Sequence, residues 1–145
     1  MNVTTSCARD TELLGEKIAS VLQGKEMIAL FGDLGAGKTA LTRGLCTGLG
    51  IKDGVCSPTF AIVNAYQGKF PVYHFDMYRI STEEGLESTG FYDYDFDNNV
   101  AAVEWSENIA EFLPKDTIYI TIASLGENDR EITIEDGGRF AAAWD

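Results

Sequence analysis

The residues able to do chemistry gather first at positions 32–39, GDLGAGKT, where Gly32, Gly37, Lys38 and Thr39 fit the spacing G-x-x-x-x-G-K-[ST]. Glycines at those places let backbone N–H groups converge on phosphate oxygens, because no Cβ stands in the way. Lys38 then reaches the β- and γ-phosphates of a nucleoside triphosphate, and the Thr39 hydroxyl is available to Mg²⁺. Such an ion needs further oxygen ligands. Asp76 ends the run VYHFD and Glu104 ends VAAVE. Each carboxylate falls at the carboxyl end of a predicted strand, where open α/β sheets bind ligands. The pattern leaves open which of the two meets the metal. Trp105, beside Glu104, suits either core packing or stacking near a nucleotide. His74, the only histidine, reads as a hydrogen-bonded strand residue rather than a base. Asp93, Asp95, Asp97 and Glu104 match positions of a calcium loop, but Asn98 stands where that loop needs glycine, and Val100 to Val103 reads as a strand.

These side chains need a scaffold, and the sequence supplies one. Met27 to Phe31 is continuously apolar, as in a strand buried on both faces, and Lys38 to Leu49 is a helix stopped by Gly50. The order strand, glycine loop, helix also aims the positive helix end at the phosphates. Upstream, Leu14, Ile18, Val21 and Leu22 share one face of a helix over Thr11 to Leu22 that Asp10 can cap. Downstream, Ala61 to Tyr66 and Phe70 to Phe75 flank Gln67-Gly68-Lys69 as a hairpin. A short helix over Thr82 to Ser88, a strand over Val100 to Val103 and a helix over Ser106 to Leu113, capped by Ser106, follow. TIYITIAS and REITIED alternate as a second hairpin. Strands interleaved with helices predict an α/β sheet with antiparallel additions.

A length of 145 residues suits one domain, and no linker or internal repeat divides the chain. The net charge of −12 repels polyanions, which argues against a direct grip on nucleic acid. Cys7, Cys46 and Cys56 lack the C-x-x-C pairing and second histidine of a zinc site, so they read as reduced, buried thiols. The first residues lack a basic head followed by an apolar core, and no apolar run approaches the roughly 20 residues needed to span a bilayer. These features fit a reducing cytoplasm and no membrane association.

GDLGAGKT, SPTF, VYHFDMYRI and VEW, in this order and at these distances, resemble the bacterial TsaE family, also called YjeE, of ATPases in tRNA threonylcarbamoyladenosine synthesis. The resemblance runs from the first helix through the C-terminal strands. It implies a P-loop NTPase-like three-layer sandwich, with a mostly parallel central sheet and antiparallel hairpin additions. The implied cofactors are ATP and Mg²⁺, and the implied partners are TsaB and TsaD. That sugar-kinase-like pair transfers the threonylcarbamoyl group to adenosine 37 of certain tRNAs, so tRNA is met only indirectly through the partners. Residue by residue, Asp33, Gly35, Ala36, Gly37, Lys38, Thr39 and Ala40 match the nucleotide loop, and Thr39 with Glu104 match the magnesium positions. Ser57-Pro58-Thr59 resembles the mobile switch segment, with Thr59 joining Lys38, Asp76 and Glu104 as a catalytic candidate. Asp76 resembles the essential aspartate after the hairpin, Trp105 the tryptophan beside the nucleotide, and Arg130 more loosely an arginine near the base. The N-K-x-D sequence of guanine selection is absent, which agrees with ATP. A small-molecule kinase and a nonhydrolysing nucleotide switch would share the phosphate loop.

Overall fold

The computed structural model describes residues 1–33, 36–51 and 63–140. Its seven-stranded sheet comprises β1 (Asn2–Thr5), β2 (Met27–Phe31), β3 (Val63–Gln67), β4 (Pro71–Asp76), β5 (Val100–Glu104), β6 (Ile118–Ser124) and β7 (Arg130–Glu135), in the spatial order β1-β7-β6-β2-β5-β4-β3. The four central strands, β6, β2, β5 and β4, run parallel. Antiparallel pairs extend the sheet at both edges. Helix α1 (Ala8–Ala19) and helix α2 (Lys38–Gly48) precede the short α3 (Glu83–Ser88). The expected mixed sheet, parallel in the middle and antiparallel outside, is what the chain forms.

Alternation along the strands divides the apolar residues between two cores, because successive side chains point to opposite faces. Ile28 and Leu30 of β2 join Ile118, Ile120 and Ile122 of β6 against Ile18 of α1 and Leu41 and Leu45 of α2. Met27, with Ala101 and Val103 of β5 and Phe75 of β4, packs on the other side against Leu86 of α3, Phe91 and Ile109. A strand covered on both faces has no place for a polar side chain, which is why MIALF contains none. The result is three layers with α1 and α2 on one face.

Helices α1 and α2 touch backbone to backbone, and glycine makes this possible. A Cβ added at Gly44 would lie 2.0 Å from the Glu12 carbonyl oxygen, and one at Gly15 would lie 2.4 Å from that of Leu41. Neither obstacle is a side chain that could swing aside. Gly44→Ala must therefore push the helices apart, at a cost of about 3 kcal/mol, which lowers the thermal midpoint by roughly 10 °C. Gly126→Ala, where nothing lies within 4 Å of the added atom, should melt with the wild type in the same calorimetric series.

Several local expectations are corrected. Helix α1 begins at Ala8 rather than Thr11, and Asp10 does not cap it: its carboxylate lies in the first turn and accepts from the Ser6 N–H at 3.2 Å. The charge still favours the positive helix end. Strand β1 was hidden because its four residues, NVTT, carry too little apolar pattern to stand out. Ser106 to Leu113 is not one helix but two 3₁₀ turns, Ser106–Asn108 and Ala110–Phe112. Ser106 turns its hydroxyl inward to the Val103 carbonyl at 2.7 Å instead of capping, and Ile109, fully buried in the second core, breaks the run at φ −130°. Cys46 is buried, with its thiol pushed up to about 12 by desolvation, but Cys7 is exposed because it stands outside the helix start. Cys56 and the expected start of the first hairpin at Ala61 lie outside the described residues. Among the described residues no helix is long and apolar enough to cross a membrane.

Candidate functional site

The parallel strands deliver the candidate residues to one end of the sheet. β2 runs into the glycine loop, and its neighbour β5 ends in Glu104. β4, on the far side of β5, ends in Asp76 directly opposite Glu104 in the ladder. The Met77 N–H prolongs that pairing by donating to the Glu104 carbonyl at 3.1 Å. Glu104 and Asp76 share their strand faces with Val100 and Val72, which belong to the core beneath α1 and α2. Both carboxylates thus lie on the side of the sheet where α2 begins.

In the loop, the Ala36 N–H donates to the Asp33 carbonyl at 3.0 Å to form a turn, and the Asp33 side chain is exposed. Gly37 then takes φ +111°, a left-handed conformation that L side chains rarely adopt, and sends the chain into α2. Lys38 is the first residue of that helix, followed by half-buried Thr39 and Ala40. Gly35 and the segment Ser57-Pro58-Thr59 lie outside the described residues.

Lys38 is only 6% exposed, yet its ammonium is well partnered. Nζ donates to the Gly32 carbonyl at 2.7 Å and sits 3.9 Å from the centre of the Trp105 ring. The ring face attracts the cation. Trp105 therefore belongs to the site rather than to the core, and it reaches Lys38 from an unusual backbone: φ 59°, the one non-glycine residue of positive φ among the described residues. Such a conformation costs of order 1–3 kcal/mol and persists only where neighbours impose it. Those neighbours are visible. Tyr78 meets the indole edge-on at 4.9 Å between ring centres, and Asn108 Nδ2 donates to the Met77 and Tyr78 carbonyls at 2.9 and 3.0 Å. Glu107 accepts from the Gly32 N–H at 3.1 Å. The turn after β5 thus grips the glycine loop on one side and the segment after Asp76 on the other.

Glu104 is 3% exposed and is fixed by a buried neighbour: His74 Nε2 lies 2.6 Å from Glu104 Oε2. His74 is indeed a hydrogen-bonded strand residue. Asp76 is half-buried, and its Oδ1 accepts from the Tyr78 N–H at 2.9 Å. Arg130, at the start of β7, directs Nε to the Ala36 carbonyl at 2.9 Å and an Nη to carbonyls of its own hairpin turn, including Asp129 at 2.9 Å. It ties that turn to the glycine loop. Asp95, one of the calcium-loop matches, instead orders its own turn by accepting from Asn98 Nδ2 at 2.7 Å, and Val100–Glu104 is a strand.

The arrangement sets Trp105 on Lys38 at the start of α2, with Thr39, Ala36, Gly37 and Arg130 beside them, and ends the neighbouring strands β5 and β4 in Glu104 and Asp76 at the same end of the sheet. Its donors suit a phosphate and a hard cation: a lysine and helix N–H groups for the anion, a carboxylate and a hydroxyl for the metal. Among the described residues no three His, Cys, Asp or Glu side chains form a metal cage on their own, so a cation there would need other oxygen ligands. Sequence reasoning missed Tyr78, Glu107 and Asn108. Only the proximity of VEWSEN to the loop could have suggested them. A shallow groove between β1 and α1, lined by Met1, Val3, Leu13 and Lys17, contains none of the phosphate-binding candidates.

Comparison with known proteins places the chain in one family. Residues 5–132 match the family model of the threonylcarbamoyl adenosine biosynthesis protein TsaE. The chain is similar to the tRNA threonylcarbamoyladenosine biosynthesis protein TsaE of Treponema pallidum, 34% identical over 92% of this chain and 99% of that one. It is also similar to the protein of the same name from Bacillus subtilis, 40% identical over 86% of this chain and 78% of the relative. The crystal structure of Bacillus subtilis YdiB superposes with a TM-score of 0.79 at 33% identity, covering 99% of this chain and 90% of that chain.

Proposed function

The chain belongs to the TsaE family of tRNA threonylcarbamoyladenosine biosynthesis proteins, and from that membership together with the glycine loop we propose that it is a cytoplasmic ATPase serving the TsaB–TsaD pair. It binds and hydrolyses Mg-ATP, and this supports threonylcarbamoyl transfer to adenosine 37 of tRNA. The observation that carries the reading is Lys38: a lysine at the first position of α2, behind a left-handed Gly37 and against Trp105, which directly follows the strand-end Glu104. Its Nζ exchanges the neutral Gly32 carbonyl for phosphate oxygens, which make stronger, charge-assisted partners. Asp33, Gly35, Ala36, Gly37 and Ala40 shape the loop around the phosphates. Thr39 and Glu104 hold Mg²⁺, which supplies charge neutralisation at the phosphates. Asp76 positions the attacking water, Ser57-Pro58-Thr59 acts as the switch, and Trp105 and Arg130 flank the nucleotide.

A chain of net charge −12 suits this role. The partners hold the RNA, and this protein avoids it. An ATPase that drives another enzyme's cycle turns over slowly while its switch is unengaged, because alignment supplies much of phosphoryl-transfer catalysis. Adding the TsaB–TsaD pair should raise phosphate release at least about tenfold, equivalent to about 1.4 kcal/mol of barrier. ATP should in turn tighten the three-protein assembly, and the chain alone should leave tRNA unshifted in a gel at physiological salt. Phosphate appearing on a small-molecule acceptor would make the protein a kinase. Nucleotide binding without release, with the pair present, would make it a nonhydrolysing switch, and tight binding of naked tRNA would also overturn the reading.

A further inference from the structure

His74 is fully buried in β4, yet it takes no part in the chemistry assigned above. It opposes Ala102 in the ladder, and Glu104 lies two residues further along the same face of β5. The imidazole therefore reaches diagonally across the two strands, and Nε2 meets Glu104 Oε2 at 2.6 Å. The other ring nitrogen, Nδ1, is buried with no hydrogen-bond partner among the described residues. An orphaned polar atom disfavours folding. A histidine placed only to fill the strand would be better replaced by an apolar residue, so the use of this ring lies in its bond to Glu104.

We infer that His74 is a positioning residue that fixes the Glu104 carboxylate in the orientation needed to hold the nucleotide's magnesium ion. This rests on the proposed role of Glu104. An ionised carboxylate only accepts, so Nε2 carries the hydrogen of this bond. Held at one oxygen by a rigid ring on the neighbouring strand, Glu104 cannot rotate away from the start of α2. Groups that orient a metal-binding carboxylate in this way commonly change metal affinity 10–100-fold when removed.

Three substitutions in the full chain separate orientation from space filling. His74→Gln keeps an N–H near the place of Nε2, His74→Asn keeps one near Nδ1 and cannot reach Glu104, and His74→Leu keeps much of the volume with no donor. Calorimetry with a nonhydrolysable ATP analogue, with magnesium or with a chelator, measures the gain in affinity that Mg²⁺ confers. That gain should fall about tenfold in His74→Asn and His74→Leu and stay within about threefold of wild type in His74→Gln. Magnesium-free affinity should be unchanged in all three. The Gln and Asn variants decide the matter even if the leucine variant does not fold: an equal magnesium gain in the two overturns the inference, as does a parallel fall in magnesium-free affinity. Glu104→Ala, run alongside, identifies the source of failure. If that variant keeps the wild-type gain, the metal role of Glu104 is wrong. If it loses the gain while His74→Asn keeps it, only the positioning role is wrong.

Discussion

Lys38→Ala should release phosphate from ATP at no more than about a hundredth of the wild-type rate and should bind ATP more weakly, with its fold intact. Removing one preorganised positive group from a developing anionic transition state costs roughly 10²–10³ in rate. Arg130, which also reaches the glycine loop, directs its guanidinium to the Ala36 carbonyl and its own hairpin turn. The fold survives because alanine is the best helix former and Lys38 contributes its methylenes and ammonium at the end of α2, not to either apolar core. The Gly32 carbonyl and the Trp105 ring lose their cation, a loss of about 1 kcal/mol for a hydrogen bond of this kind. Phosphate release, calorimetry and circular dichroism on the purified variant check the three parts. Normal ATPase activity in a folded Lys38→Ala protein would remove the loop from the mechanism.

The same lysine shows where sequence reading reaches its limit. GDLGAGKT reads as a candidate phosphate loop because each residue type answers a local need: glycine for backbone that no side chain may crowd, lysine for charge, and threonine for a hydroxyl. β2 is legible to its last residue, since burial on both faces leaves an unbroken apolar run. Asp76 and Glu104 are legible as a pair because each closes an apolar strand, and the parallel ladder sets them side by side. What surrounds Lys38 was not legible. Trp105 sits over the ammonium only because its backbone is left-handed, a conformation imposed by Asn108, Tyr78 and Glu107 gripping different segments. None of those contacts is local in the chain, and the residues after Trp105 carry a spacing that favours a helix. Tertiary contacts overrode that spacing, burying Ile109 and turning Ser106 inward. The paired state of Glu104 was hidden for a similar reason: VYHFD gives the spacing of His74 from Asp76, but only the register of β4 on β5 turns that spacing into a bond.

That register also gives the two carboxylates different surroundings, on which their proposed tasks rest. Glu104 is nearly sealed from water and held at Oε2 by a ring on the next strand. A carboxylate so fixed suits an ion that demands near-ideal octahedral geometry. Asp76 is half-buried, and its Oδ1 accepts from the Tyr78 N–H at the start of the segment that Asn108 holds. It stands where strand becomes loop, a place suited to orienting a water that must move during the reaction. Glu104→Ala should therefore lose at least about tenfold of the affinity that magnesium adds to nucleotide binding, the scale on which groups at a metal site act, and leave magnesium-free binding nearly unchanged. Asp76→Ala should keep the magnesium gain and lose about 10²-fold in turnover, as expected when a group that positions or deprotonates the nucleophile is removed. Paired titrations with and without Mg²⁺, beside phosphate-release rates, give all four values. An equal magnesium gain in Glu104→Ala and wild type would transfer the metal to another ligand. A loss of that gain in Asp76→Ala, with Glu104→Ala unaffected, would exchange the two roles and make the half-buried end of β4, rather than the sealed end of β5, the cation site.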